Sequence, residues 1–259
     1  MNLVKILFVE LEGEYQLMKR AIIFGATGGI GQSICSELAA AGWSLYIHCN
    51  QKWDAACKIS HKLAQKYPAQ DFIPIRLNFS ISDNKLIVFV KNLLPINAAV
   101  FAEGITDYNF VGQQKMAKID QIMQINLITP IKLTHLLEPF LIKNKFSRIV
   151  YLGSVYGGQG SALEAVYSAS KAGLTRFSQA YAREVASTHL TVNVVAPGAV
   201  NTPMNAMFPK ETMQEVKEEI PAGRLAESSD ISFWIKNLLD PHSNYLTGQT
   251  IYVSGGWLL

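Results

Sequence analysis

The chain has 259 residues, 49% of them hydrophobic and 17% charged, with a formal net charge of +3. That balance supplies apolar mass for a sizeable core and argues against general disorder, while the mild charge and the lack of a long basic run exclude a nucleic-acid stripe. No apolar run approaches the ~20 residues of a membrane span, and Cys35, Cys49 and Cys57 lack metal-ligand spacing, so a cytoplasmic chain with reduced thiols, no metal and no membrane contact is expected.

The N-terminus is irregular. Val4-Lys5-Ile6-Leu7-Phe8-Val9 is apolar but too short and too poorly flanked for a signal peptide. The sequence begins afresh at Met18-Lys19-Arg20. Residues 1–17 are therefore read as an N-terminal extension or as translation from an upstream start, with no function, and 18–259 as one domain.

From residue 20, strand and helix patterns alternate. Arg20 to Phe24 is a short apolar run suited to a strand buried on both faces. Ile30, Ile34, Leu38 and Ala41 recur at helical spacing and stop at Gly42. Ser44 to His48 predicts a second strand, Asp54 to Tyr67 a helix halted by Pro68, and Phe72 to Leu77 a third strand. Pro74 suits the start of a strand or an open edge. Ser82-Asp83-Asn84 starts a helix over Leu86 to Leu94, and Ala98 to Ala102 is the fourth strand.

Met116 to Ile142 reads as one long helix with kinks or joints at Pro130 and Pro139. Arg148 to Gly153 predicts a strand, Tyr167 to Ser187 a helix, Leu190 to Val195 a strand, Ser229 to Leu239 a helix and Thr250 to Val253 a last strand. Repeated βα alternation implies an α/β fold: one Rossmann-type, doubly wound parallel sheet with helices on both faces.

Two constellations carry chemistry. Gly25-Ala26-Thr27-Gly28-Gly29-Ile30-Gly31 lies between the first strand and first helix, where glycines let a pyrophosphate approach the backbone and the helix start offers N–H donors. Tyr167 and Lys171, four apart, share a helix face. An ammonium there favours the phenolate and draws the phenol toward useful titration. Ser154, at the end of a strand, brings a hydroxyl toward the same point. The Tyr-x-x-x-Lys pair alone is common on exposed helices; the glycine loop gives it context.

The loop, Asn126, Ser154, Tyr167-x-x-x-Lys171 and Pro197-Gly198 resemble the short-chain dehydrogenase/reductase family in order and separation. The likeness runs from about residue 20 to the C-terminus and includes Ala182-Arg183-Glu184, Thr191 to Gly198, and Leu246-Thr247-Gly248-Gln249 before Gly255-Gly256. Within the family these stretches are most similar to 3-oxoacyl-[acyl-carrier-protein] reductases. The resemblance implies that Tyr167 donates a proton during carbonyl reduction and Lys171 contacts the nicotinamide ribose. It implies that Ser154 bonds the substrate oxygen and that Asn126 holds a helix distortion positioning a relay water.

It also implies cofactor contacts at Asn78-Phe79 beside the adenine, at Ala102 and Gly104 after the fourth strand, and at Pro197, Gly198, Val200 and Thr202. Pro203 to Ile220 is similar to the family's mobile substrate lid. After the second strand, His48-Cys49-Asn50-Gln51-Lys52 carries no carboxylate, and Asn50 and Lys52 suit a 2′-phosphate, so NADPH is favoured over NADH. Gly28 stands where NADPH-preferring members often carry a basic residue.

Two departures stand out. Phe101-Ala102-Glu103-Gly104 replaces the family's Asn-Asn-Ala-Gly, which implies altered cofactor affinity or an unusual substrate. Lys145 keeps one basic position associated with docking acyl carrier protein, while Thr188 occupies the other. The expectation is an NADPH-dependent reductase of 3-oxoacyl thioesters, on acyl carrier protein or coenzyme A, assembled as a homotetramer. The alternatives are a dehydrogenase of a sugar, steroid-like or other secondary alcohol, and a nucleotide-sensing member with weak catalysis.

Overall fold

A computed structural model describes residues 19–203 and 208–257. The readings for residues 1–17 lie outside them. Seven strands form one parallel sheet: β1 (Arg20–Phe24), β2 (Ser44–Cys49), β3 (Phe72–Arg76), β4 (Ala98–Phe101), β5 (Ser147–Leu152), β6 (Leu190–Pro197) and β7 (Thr250–Val253). Their order is β3-β2-β1-β4-β5-β6-β7. The chain winds outward in one direction from β1 to β3 and in the other from β4 to β7. The crevice above the carboxyl ends of β1 and β4 is therefore the place where such a sheet receives ligands.

Strand alternation divides the core into two layers. Ala21, Ile23, Leu45 and Ile47 face α1 (Gly29–Ala40), α2 (Trp53–Lys66) and α8 (Ser228–Leu238). Ile22, Phe24, Ala99 and Phe101 face α3 (Asp83–Lys91), α5 (Thr129–Leu141) and α6 (Ala165–Glu184). Each fully buried aliphatic side chain stabilises the fold by about 1.5–3 kcal/mol. Apolar residues on both faces explain why these strands read as continuous hydrophobic runs.

The long helix predicted over 116–142 is α4 (Met116–Met123), a π-turn over Gln124–Ile128, and α5. The joint falls just before Pro130, and Pro139 sits inside α5 without ending it. Pro74 occupies edge strand β3. Bonds from Leu45 N to Asp71 O and from Leu77 N to Cys49 O aim the odd-numbered residues of this strand at β2. Pro74 therefore turns to the open side, where its missing N–H breaks no ladder bond.

Arg148 anchors the opposite, amino edge. Its buried guanidinium donates to the carbonyls of Asp240 and Pro241 and to Asn244 Oδ1, tying β5 to the turn that follows α8. α7 (Lys210–Glu219) lies within the stretch read as a lid.

Candidate active site

Gly25 follows β1 with φ +74, and a Cβ there would meet the Ala102 carbonyl and Glu103 N at 2.7 Å. A Cβ on Gly31 would stand 2.2 Å from Gly25 O. Only glycine lets the loop fold this tightly against β4 and against its own helix. The Gly28 N–H donates to Gly25 O at 3.0 Å, and α1 starts at Gly29 with no side-chain cap. The first-turn N–H groups around Gly29, Ile30 and Gly31, with Thr27 beside them, thus remain available to an anion. Thr202, after β6, reaches the same loop: a Cβ on Gly29 would lie 3.0 Å from Thr202 Cγ2.

His48 supports the loop from below, a role its sequence position did not signal. Its Nδ1 accepts the Gly25 N–H at 3.0 Å, and Nε2 pairs with Leu77 O at 2.9 Å. Burial holds the imidazole down at about 4, against the opposing pull of the Leu77 carbonyl.

At the carboxyl end of β2, Asn50 and Lys52 are exposed. Arg76 lies in register with Cys49 and places its guanidinium 5.3 Å above the Trp53 ring. It is a second basic residue at this corner, absent from the sequence reading because it lies on the neighbouring strand. Asn78 is exposed, with Oδ1 accepting from Ser80 N. Phe79 turns its ring inward against Phe24 and His48, with centroids 5.5 and 5.3 Å away, so its side chain belongs to the core.

Asn126 lies within the π-turn and is 1% exposed. Its Oδ1 accepts from Ile105 N at 2.9 Å, and its Nδ2 donates to Ile105 O at 2.9 Å and Ser170 Oγ at 3.1 Å. It therefore clamps the segment after β4 to α6. Ser154 follows β5, and its Oγ accepts from Tyr156 N at 3.1 Å. Hydrogen bonding by Ser154 also reaches the Tyr167 phenol.

Lys171 is 2% exposed and donates from Nζ to Leu152 O at 2.7 Å, with Nζ 5.9 Å from the centroid of the Tyr167 ring. The expected lowering of the Tyr167 phenol by Lys171 is not found. Burial pushes the phenol up to about 12, with Ser154 pulling the other way. The reason is where the ammonium points: toward the Leu152 carbonyl and the charge of Glu103. Gly104 borders both partners, since a Cβ there would lie 3.5 Å from Lys171 Nζ and 3.7 Å from Asn126 Oδ1.

On the far side, Pro197 ends β6 and Gly198 N donates to Val253 O at 3.0 Å. Val200 is buried and bridges to Ala226. Within the stretch read as a lid, residues 204–207 lie outside the described residues, and Phe208 meets Tyr108 edge-on at 5.1 Å between centroids. Lys145 is exposed in the turn before β5, at the amino edge and away from Tyr167. Thr188 closes the turn before β6, donating to Val185 O and accepting from Leu190 N.

The cradle that a Cβ at Gly25 or Gly31 would fill, and the uncapped start of α1, suit the diphosphate of a dinucleotide. No group of metal-ligating side chains occurs among the described residues, and no described helix is long and apolar enough to cross a membrane.

Residues 19–212 match the family model described as short chain dehydrogenase. An uncharacterized oxidoreductase of Bacillus subtilis, YmfI, is 35% identical over 239 residues, covering 92% of this chain and 98% of its own. The 3-oxoacyl-[acyl-carrier-protein] reductase FabG of Haemophilus influenzae is 34% identical, covering 93% and 98%. That of Escherichia coli is 32% identical, covering 92% and 96%. A putative NAD(P) dependent gluconate 5-dehydrogenase from Beutenbergia cavernae, solved with bound NADP at low occupancy, superposes with a TM-score of 0.86 at 24% identity, over 93% of this chain and 96% of that one. At that identity the likeness speaks for the fold.

Proposed function

The chain belongs to the short chain dehydrogenase family, and we propose that it is an NADPH-dependent reductase acting on the ketone of 3-oxoacyl thioesters, on acyl carrier protein or coenzyme A, in fatty-acid metabolism. One observation carries this reading: Ser154, Tyr167 and Lys171 meet beside the Gly25–Gly31 cradle, at one edge of the sheet. The identity of 32–34% to the FabG reductases over almost the whole chain supports the thioester.

When bound, the nicotinamide supplies the hydride. The first turn of α1 would hold the diphosphate, Asn50, Lys52 and Arg76 would hold the 2′-phosphate, and Asn78 and the Phe79 backbone would border the adenine. Ala102 and Gly104 would form the floor, with Pro197, Gly198, Val200 and Thr202 on the far wall. Negative charge grows on the carbonyl oxygen as the ketone is reduced. The Tyr167 phenol gives that oxygen a proton while the Ser154 hydroxyl donates a hydrogen bond to it, stabilising the transition state. Ser154 Oγ already accepts from Tyr156 N, which fixes its position. Asn126 acts by holding Ile105 against Ser170 of α6, since its side-chain amide bonds both.

Exposed Phe233 and Trp234 on α8 and Tyr252 on edge strand β7 support a homotetramer. The unpaired thiols of Cys35, Cys49 and Cys57 support work in the cytoplasm.

The test follows NADPH and NADH oxidation with acetoacetyl thioesters and a panel of sugar, cyclic and open-chain ketones, with Tyr167→Phe as control. Thioester turnover with NADPH, lost in the control, is the expected result. Turnover confined to another ketone class would move the substrate. NADPH binding without any turnover would leave a nucleotide-sensing member of the family.

A further inference from the structure

Glu164 heads α6, three residues before Tyr167 and on the same helix face. Its side chain does not cap the helix. It accepts instead from Thr106 Oγ1 at 2.6 Å, and Thr106 adjoins the Ile105 that Asn126 clamps. Leu163 turns the chain just before it. At φ +64 it is the only non-glycine in the left-handed region among the described residues, and its carbonyl accepts from Asn109 N at 2.8 Å. The start of α6 and the segment after β4 are thus fastened together around one carboxylate.

Glu164 is half-buried. Thr106 takes Oε1; Oε2 has no bonding partner among the described residues and is not sealed from solvent. A carboxylate can only accept, so Oε2 is an open acceptor near the Tyr167 phenol. Burial opposes the charge on Glu164, and the Thr106 hydrogen bond favours it. Close by, the Trp257 indole N–H donates to Glu219 Oε2 at 3.1 Å, and the Trp257 ring meets Tyr156 edge-on at 5.8 Å between centroids. Burial raises the Tyr156 and Tyr167 phenols, and the charge of Glu164 raises both further, as that of Glu219 does for Tyr156. This side of Tyr167 is therefore walled by rings and carboxylates, while the Lys171 ammonium is aimed at Leu152 O. An open acceptor in a half-dry cleft favours a ligand that donates and disfavours a second negative charge.

We infer that Glu164 is a specificity-determining residue: Oε2 accepts a hydrogen bond from an N–H or O–H group of the substrate, about 5 Å (one helical turn) from the ketone, and the charge turns away a carboxylate beside that ketone. The inference deepens the thioester reading and rests on Tyr167 as the group that meets the ketone. In a thioester of acyl carrier protein or coenzyme A, the donor is the first amide N–H of the arm, two methylene groups beyond the sulfur. In a hydroxyketone it is a hydroxyl. A free 3-oxo acid has neither and carries the disfavoured charge.

Two matched pairs read the contact. One is acetoacetyl-N-acetylcysteamine against S-ethyl acetothioacetate, which lacks the amide; the other is a hydroxyketone against its deoxy analogue. Each is titrated calorimetrically into the protein loaded with oxidised nucleotide, where no ketone can turn over, and initial rates with reduced nucleotide follow. In at least one pair the donor-bearing member binds about tenfold tighter, one charge-assisted hydrogen bond. Glu164→Leu brings that ratio near one, chiefly through KM, and Glu164→Gln, which keeps an acceptor, retains part of it. Glu164→Gln also narrows by several-fold the gap between acetoacetate and its ethyl thioester. A merely structural role would weaken both members of a pair alike and leave the ratio in place.

Equal binding within both pairs, or a ratio that Glu164→Leu does not change, overturns the inference. If thioesters are still reduced in that case, the thioester reading stands without it. A Glu164-dependent preference confined to the hydroxyketone pair supports the inference and removes the thioester instead.

Discussion

His48 and Gly25 are joined side chain to backbone: the imidazole Nδ1 accepts the Gly25 N–H at 3.0 Å, which leaves Nε2 to carry the proton donated to Leu77 O at 2.9 Å. One neutral tautomer thus fastens the glycine loop to β2 and to the end of β3. Protonation would remove the acceptor that Gly25 needs.

Acid should therefore weaken the fold through His48. Its folded value, about 4, lies below the ordinary 6.5, so the unfolded chain binds the proton more readily. Stability from this group is fully present above the unfolded value and falls as pH drops from 6.5 toward about 4, by up to about 3 kcal/mol. His48→Phe, which strands the Gly25 N–H, should cost about 1–3 kcal/mol near neutral pH. Thermal unfolding against pH checks both: the gap between wild type and variant should narrow on acidification. A gap independent of pH would contradict the assignment.

Gly31→Ala and Gly42→Ala should fail for different reasons. The first drives a Cβ to 2.2 Å from Gly25 O, a backbone clash that costs more than about 3 kcal/mol and abolishes nucleotide binding. The second meets nothing within 4 Å but strains a φ of +85, worth about 1–2 kcal/mol with binding intact. Denaturant melts and nucleotide titrations of the two variants separate the effects.

The corner after β2 should set cofactor preference. Lys52→Ala and Arg76→Ala should each weaken NADPH by roughly tenfold, one charge-assisted hydrogen bond apiece, and leave NADH unchanged. Initial rates with both nucleotides decide. Equal losses for both would show that these side chains do not distinguish them.

Tyr167 should remain a phenol in the nucleotide-free protein well above the usual tyrosine range, because burial holds it at about 12. The difference in ultraviolet titration between wild type and Tyr167→Phe should show no tyrosinate from this residue near 10, the ordinary value. The same variant should lower kcat for ketone reduction by about 10²–10⁴.

Periodicity in the sequence carried the strands, the helices and the position of the glycine loop. Each is a repeating pattern of apolar burial, and burial on both faces left the strands unmistakable. The π-turn at Asn126 was legible through family likeness alone, because one extra residue in a helical turn leaves no mark on hydrophobic spacing. The direction of the Lys171 ammonium was not legible. Four-residue spacing puts it beside Tyr167, but the Leu152 carbonyl and Glu103 come from β5 and from the end of β4, brought near only by strand order. Phe79 shows the same limit. Its neighbourhood follows from sequence, while the choice between facing a ligand and joining the core depends on Phe24 and His48.

Pro74 gives the sheet a polarity in assembly. The margin at β3 offers one amide fewer to an incoming strand, and β3 ends in charged Arg76. The margin at β7 has no proline, and Tyr252 stands exposed on it. Two copies of this chain that met through their sheets would therefore join β7 to β7, and the β3 side would remain a terminus however many copies gathered.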